Sequence, residues 1–190
     1  MWPTLLIFLG CVEHDSPNRN KNKNKAIETV DTAGVLDPET IPPLTELCVN
    51  EFVADSEGQW INELGVASDW VELHNPTVGE LPLAGYFITD DPEEPYKHAF
   101  DTDLVIPAGG FMLFSADNQP DLGPTHLDFK LGKGGEALGL FRSDGAGEVI
   151  HFGTVPPDMS WARQPDCCMD VAECSAQVVG GTPGLSNVEL

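Results

Sequence analysis

Hydrophobic and polar residues alternate along short stretches beyond residue 43, and Gly, Pro or Asp-Gly turns separate these stretches. Alternation with a period of two is typical of half-buried β-strands, and no stretch keeps a helical period. At most one helical turn fits the sequence, near residues 59–64. The pattern therefore predicts an all-β sandwich or barrel, with strands at 47–53, 69–75, 85–90, 103–106, 111–115, 127–131, 136–142 and 148–152.

The stretch DWVELHN at 69–75 has the most regular alternation. Successive side chains of a strand point to opposite faces. The stretch should therefore place Trp70, Glu72 and His74 on one face and Val71 and Leu73 on the other. The same rule applied to the first strand puts four residues on one face: Leu47, Val49, Glu51 and Val53.

Charge narrows the possible partners. The chain carries 31 acidic and nine basic residues, a net charge of −22, and four of the basic residues lie in the run Asn18–Lys25. From Glu46 onward there are 25 acidic residues and five basic ones. Such a surface repels a phosphate backbone, so the sequence predicts no nucleic-acid partner for the body of the protein.

The N-terminus has the pattern of an export signal. Residues 1–10 are mostly apolar, and Phe8-Leu9-Gly10-Cys11 resembles a bacterial lipobox. That resemblance implies that Cys11 is lipidated and anchors the protein to a membrane. Residues 12–43 have no hydrophobic period and include a polar Asn/Lys run, which predicts a disordered, low-complexity linker. Because Val12 rather than Asp follows the cysteine, the resemblance implies an outer-membrane or cell-surface location in the envelope.

Nine fragments in fixed order resemble the bacterial version of the lamin tail domain, an immunoglobulin-like β-sandwich. They run from CVNEFV at 48–53 and DWVELHNP at 69–76 to SWAR at 160–163, and a tail GTPGLSN at 181–187 follows. The resemblance predicts a sandwich at 44–166 and a cysteine-containing C-terminal tail at 167–190.

Because the family is a scaffold or interaction module, the resemblance implies a non-catalytic, envelope-anchored binding or structural module. Its expected partner is a protein or an envelope polymer. Two alternatives remain, a calcium-dependent surface adhesion module and an accessory domain of an envelope-acting hydrolase. The sequence contains no Gly-x-Ser-x-Gly, His-Glu-x-x-His or Walker pattern, which favours the non-catalytic interpretation.

With Cys11 lipidated, four cysteines remain: Cys48, Cys167, Cys168 and Cys174. An even number of cysteines in an exported protein suggests two disulfides, and four cysteines allow three connectivities. Because adjacent Cys167 and Cys168 bond poorly to each other, we expect Cys48 to pair with one of them and Cys174 with the other. A zinc site is the alternative, although the Cys-Cys-x5-Cys spacing is unusual for one.

Calcium is the one cofactor that the sequence favours. Ca²⁺ takes six to eight oxygen ligands, and carboxylates supply such oxygens. Five acidic residues lie in or beside predicted strands: Glu51, Asp69, Glu72, Asp90 and Asp91. The alternative is that Asp69, Asp90 and Asp91 cap turns through bonds to backbone N–H groups.

Overall fold

The computed structural model describes residues 41–58 and 60–187. Its chain is nearly all β, with the strands β1 (Cys48–Val53), β2 (Trp70–His74), β3 (Leu81–Pro82), β4 (Tyr86–Thr89), β5 (His98–Ala99), β6 (Val105–Ile106), β7 (Phe111–Ser115), β8 (Glu136–Arg142), β9 (Gly147–Phe152), β10 (Met159–Arg163) and β11 (Ser175–Val179). Helix in these residues amounts to a 3-10 turn, Pro120–Leu122, and one α-helical turn, α1 (Val171–Cys174). The predicted signal at 1–11 and most of the predicted linker lie outside the described residues.

The strands form two antiparallel sheets and a short pair. One sheet has the order β11-β10-β1-β2-β7, the other has the order β5-β4-β8-β9, and β3 pairs with β6. Apolar side chains from both sheets share one core, as in a β-sandwich. Across that core, the ring of Phe52 on β1 lies 4.6 Å from the ring of Phe152 on β9. The all-β prediction is therefore confirmed.

A buried ion pair also joins the two sheets. Arg163 on β10 is 1% exposed, and its Nη2 donates to Glu148 Oε2 on β9 at 2.6 Å. The other oxygen of Glu148 accepts a bond from the Val49 backbone N–H at 2.7 Å. A buried guanidinium needs such an opposite charge because burial removes its hydration. This pair therefore fixes the spacing of β9, β10 and β1.

The predicted faces hold for β2 and fail for β1. Val71 and Leu73 lie in the core, as the alternation of β2 predicts. In β1, Val49 pairs with Leu73 but Glu51 pairs with Glu72, so Asn50 is an extra, bulged residue. Because a bulge shifts the alternation by one position, Val49 faces the core while Glu51 faces the opposite side of the sheet.

Other boundaries differ from the prediction. Residues 127–131 do not form a strand; they follow the edge of β7, where Leu127 N donates to Ser115 O at 2.8 Å. Their alternating apolar residues Leu127, Phe129 and Leu131 are nevertheless buried, which explains the misleading pattern. Conversely, β10 and β11 were not predicted as strands, and β11 lies within the segment 167–190 that we treated as a tail. Where the sequence allowed at most one helical turn, residues 61–67 form a tight loop closed by the bridge Ile61↔Ala67.

One disulfide ties the C-terminal segment to the sheet and a second closes a loop within that segment. Cys48 bonds to Cys167, 119 positions further along the chain, and Cys168 bonds to Cys174, six positions further along. This connectivity agrees with the expected one. By loop-closure entropy, the long-range bond stabilises the fold by roughly 5 kcal/mol and the short one by roughly 2 kcal/mol.

Candidate functional site

Two buried glutamates lie side by side on neighbouring strands. Glu51 and Glu72 are direct partners in the register of β1 and β2, and neither side chain is exposed. The bulge at Asn50 causes this pairing, because it turns Glu51 to the side of the sheet that Glu72 occupies. The sequence therefore builds two carboxylates into the outer face of a sheet, where water would normally solvate them.

The C-terminal segment covers this face and binds both carboxylates. Glu51 Oε2 accepts bonds from the backbone N–H and the hydroxyl of Thr182, each at 2.9 Å. Glu72 Oε2 accepts a bond from Gly184 N at 2.6 Å, and its Oε1 accepts one from Asn50 Nδ2 at 3.1 Å. Three of these bonds come from Thr182 and Gly184, so the segment is attached to the sheet at two of its residues.

A third carboxylate binds the end of the same segment. Asp166 Oδ1 accepts bonds from Asn187 N at 2.8 Å and Asn50 Nδ2 at 3.0 Å, and Asp166 Oδ2 accepts one from the Ser186 hydroxyl. We call Asn50, Glu51, Glu72 and Asp166 the acidic cradle, and residues 181–187 the capping segment. Polar groups of the capping segment thus bind every carboxylate of the cradle.

Gly181 is required where the capping segment first meets the cradle. Its φ is +64°, and an added Cβ would lie 2.8 Å from Glu51 Oε1 and 3.0 Å from Trp70. Glycine is the residue that adopts this conformation without a steric penalty. The motif GTPGLSN therefore has a structural reason to begin with glycine.

Burial changes the acidity of the cradle. It raises the pKa of Glu72 to about 7, and the nearby negative charges of Glu51 and Asp166 act in the same direction. The bonds from Gly184 N and Asn50 favour the ionised form but do not cancel the effect of burial. Glu51 Oε1 is also buried and lacks a hydrogen-bond partner. The cradle therefore places acidic groups close together and away from water, so that Glu72 keeps its proton at higher pH than an exposed glutamate does.

The remaining predicted metal ligands lie apart from the cradle. Asp69 Oδ1 accepts a bond from Ser56 N at 2.9 Å, and burial raises its pKa. Asp90 pairs with Lys97 Nζ at 2.6 Å, and Asp91 accepts a bond from Glu93 N at 2.9 Å, just after β4 in the other sheet. The five predicted acids therefore do not converge on one point. Residues 41–58 and 60–187 contain no group of three or more His, Cys, Asp or Glu side chains arranged to hold a metal ion.

Sequence reasoning missed one buried histidine. His126 is fully buried, with Nδ1 at 2.7 Å from Asp117 Oδ2 and Nε2 at 3.1 Å from Glu63 Oε1. Thr125 also donates to Glu63 through its hydroxyl at 2.9 Å. No local sequence pattern indicates this contact, because Glu63 and His126 are 63 residues apart in sequence. These bonds join the loop after Trp60 to the loop after β7. In a catalytic triad the nucleophile lies beside Nε2 of the histidine, and here the carboxylate of Glu63 occupies that position.

Comparison with known protein families, curated proteins and solved structures finds no match. The residues of the site therefore have to be interpreted from their own chemistry. Within the described part of the chain, no helix is both long and apolar enough to cross a membrane.

Proposed function

We propose that this chain is an envelope-anchored, non-catalytic binding or structural module, built on an immunoglobulin-like sandwich of the lamin-tail type. The observation that carries the proposal is the capped acidic cradle. Paired carboxylates are the groups that hydrolytic chemistry would use, but Glu51 and Glu72 are bound by the capping segment instead. A pair used in this way holds the capping segment and is shielded from any substrate.

The resemblance to the lamin tail domain supports the same proposal. Most of its fragments include residues of β1, β2, β4, β8 or β10, which belong to the two sheets. The tail GTPGLSN supplies the capping segment, so this motif has a defined place in the fold. The strands thus form a scaffold suited to contacts with a partner.

The proposed anchor is tested by labelling cells with an alkyne fatty acid and separating their membranes. We expect the wild-type chain to carry the label and to sediment with membranes, the outer one where the cell has two. Cys11→Ser should lose the label and become soluble, whereas Ser16→Ala, a neighbouring control, should behave like the wild type. An unlabelled wild-type chain in the cytosol, with reduced thiols, would contradict the proposal.

The non-catalytic character is tested with the purified full chain and envelope polymers such as peptidoglycan. We expect no release of soluble fragments above the buffer control. Hydrolysis that Glu72→Gln abolishes, while Glu80→Gln at an exposed position leaves it unchanged, would show that the cradle is catalytic after all.

A further inference from the structure

The last strand of the larger sheet has a free edge. β11 pairs with β10 alone, and the bonds Gln164 N to Cys174 O and Gly180 N to Asp158 O set the phase of that ladder. Because backbone groups alternate in direction along a strand, the N–H and C=O groups of Ser175, Gln177 and Val179 point away from β10. No other strand of the described residues accepts them.

The other sheet edges are each covered at one point or very short. Ser115 at the end of β7 is bonded to Thr125 O and Leu127 N, and the N–H of Gly147 at the start of β9 donates to Pro42 O at 2.8 Å. β5 has only two residues and follows Lys97 directly. β11, by contrast, has five residues, SAQVV, without a charge or a proline. Native proteins usually shield such an edge with charges, proline or a bulge. The absence of charges and proline in β11 therefore indicates that another strand pairs with it.

The charges around β11 indicate which strand fits. The chain carries no Lys or Arg after Arg163, and Glu173 lies two residues before β11 begins. Asp158 lies at the other end, where its carbonyl binds Gly180 N. A second copy pairing antiparallel about Gln177 would place Glu173 opposite Gly181 and would bring together two chains that each carry −22. A strand with basic residues at both ends would be attracted instead.

A cavity lined by both apolar and polar side chains lies on the inward side of this edge. It measures about 290 Å³ and opens between the end of β9 and the start of β11, with Phe152, Val155 and Trp161 in its lining. Trp161 is opposite Gln177 in the register and stacks on Phe52 in the core. Residues directly opposite each other share a face, so the inward face of an added strand would be directed toward this cavity.

We propose that the free edge of β11 accepts an extended segment of a partner protein as an additional strand, with apolar side chains facing inward and Lys or Arg at both ends. This inference rests on the proposed role as a binding module and specifies its partner class. Backbone bonds to Ser175, Gln177 and Val179 would provide affinity, and the cavity and the acidic ends would provide selectivity.

The test selects from a phage-displayed library of random nine-residue peptides against the full chain. We expect enrichment of sequences that alternate β-branched or aromatic residues with polar ones and that carry Lys or Arg near both ends. A recovered peptide, labelled with a fluorophore, is then titrated by anisotropy. We expect binding to weaken as salt increases, because the ends contribute charge attraction.

Variants locate the binding site. Gln177→Pro removes an outward N–H and leaves the ladder to β10 intact, since proline is tolerated at such edge positions. We expect it to weaken peptide binding at least tenfold. Val179→Lys, which places a charge on the edge without altering the backbone, should also weaken binding at least tenfold. Val78→Lys changes a fully exposed valine in a distant loop and should leave binding unchanged.

Failure to enrich such peptides would overturn the inference, as would equal affinity of all three variants and the wild type. A wild-type dimer that Gln177→Pro dissociates in sedimentation would assign the edge to a second copy and would also overturn it. None of these outcomes alters the fatty-acid label or the fractionation of the chain, so this inference and the proposed anchor can fail separately.

Discussion

The buried Glu72 should make the stability of this protein fall as pH rises. Its carboxyl has a pKa of about 7 in the folded chain and an ordinary value of 4.5. Between these values the folded chain holds a proton that the unfolded chain has released. The free energy of unfolding therefore falls progressively above pH 4.5. The contribution of the Glu72 proton is lost completely once the pH passes about 7.

The size of the effect follows from the shift. A difference of one pKa unit corresponds to about 1.4 kcal/mol, so the span from 4.5 to about 7 corresponds to roughly 3 kcal/mol. Asp69 and Glu136 also have raised pKa values and act in the same direction, whereas the lowered pKa of Glu63 acts against them. The pH dependence of the unfolding free energy of the wild-type chain therefore contains contributions from several groups. A comparison with a variant is needed to isolate Glu72.

The variant Glu72→Gln isolates the contribution of Glu72. Its amide cannot titrate, so the wild type should lose roughly 3 kcal/mol of unfolding free energy relative to the variant between pH 4.5 and pH 8. The amide N–H of the introduced Gln side chain would also face another donor, Gly184 N or Asn50 Nδ2, which lowers the stability of the variant. This loss of stability does not depend on pH. It shifts the curve without changing its slope.

The assay is urea denaturation at half-unit pH steps with both disulfides intact, followed by tryptophan fluorescence. Glu80→Gln serves as the control because Glu80 is exposed, and its curve should run parallel to that of the wild type. Parallel curves for Glu72→Gln and the wild type would refute the reasoning, because they would show that burial does not change the proton affinity of this carboxyl.

Two further substitutions test the packing around the acidic cradle and between the sheets. Gly181→Ala should destabilise the fold by at least about 1 kcal/mol, since alanine is strained at positive φ and its Cβ would clash with Glu51. The control is Gly79→Ala, where an added Cβ meets open space. It should leave the unfolding free energy nearly unchanged in the same urea assay. Arg163→Met should cost about 3 kcal/mol because it leaves the mostly buried carboxylate of Glu148 without its cation. Adding Glu148→Leu should recover part of that loss. A double variant no more stable than the single one would count against the ion-pair explanation.

Local alternation was enough to predict the fold class and the faces of β2. Val71 and Leu73 point to the core and Glu72 to the other side, as period two requires. The same rule failed in β1 because one extra residue, Asn50, reverses the faces. Nothing in the stretch CVNEFV marks a bulge, since its cause is the register that β1 forms with β2.

The site was predicted only in part. Glu51 and Glu72 were named from the sequence, but as members of a five-residue calcium set that the structure divides between separate places. Their binding to the capping segment depends on bonds that span 131 and 112 residues of sequence, which no local pattern encodes. β11 was missed for a similar reason, because SAQVV is short and becomes a strand only by pairing with β10.

The central claim is that residues 181–187 are an integral part of the domain and cap its buried carboxylates. Amide hydrogen exchange at Thr182 and Gly184, measured by NMR on the full chain, tests it most directly. We expect both amides to exchange as slowly as those of β1 and β2, because each donates to a buried carboxylate. Exchange at the rate of an unprotected loop would show that the segment does not occupy the cradle and would contradict the account.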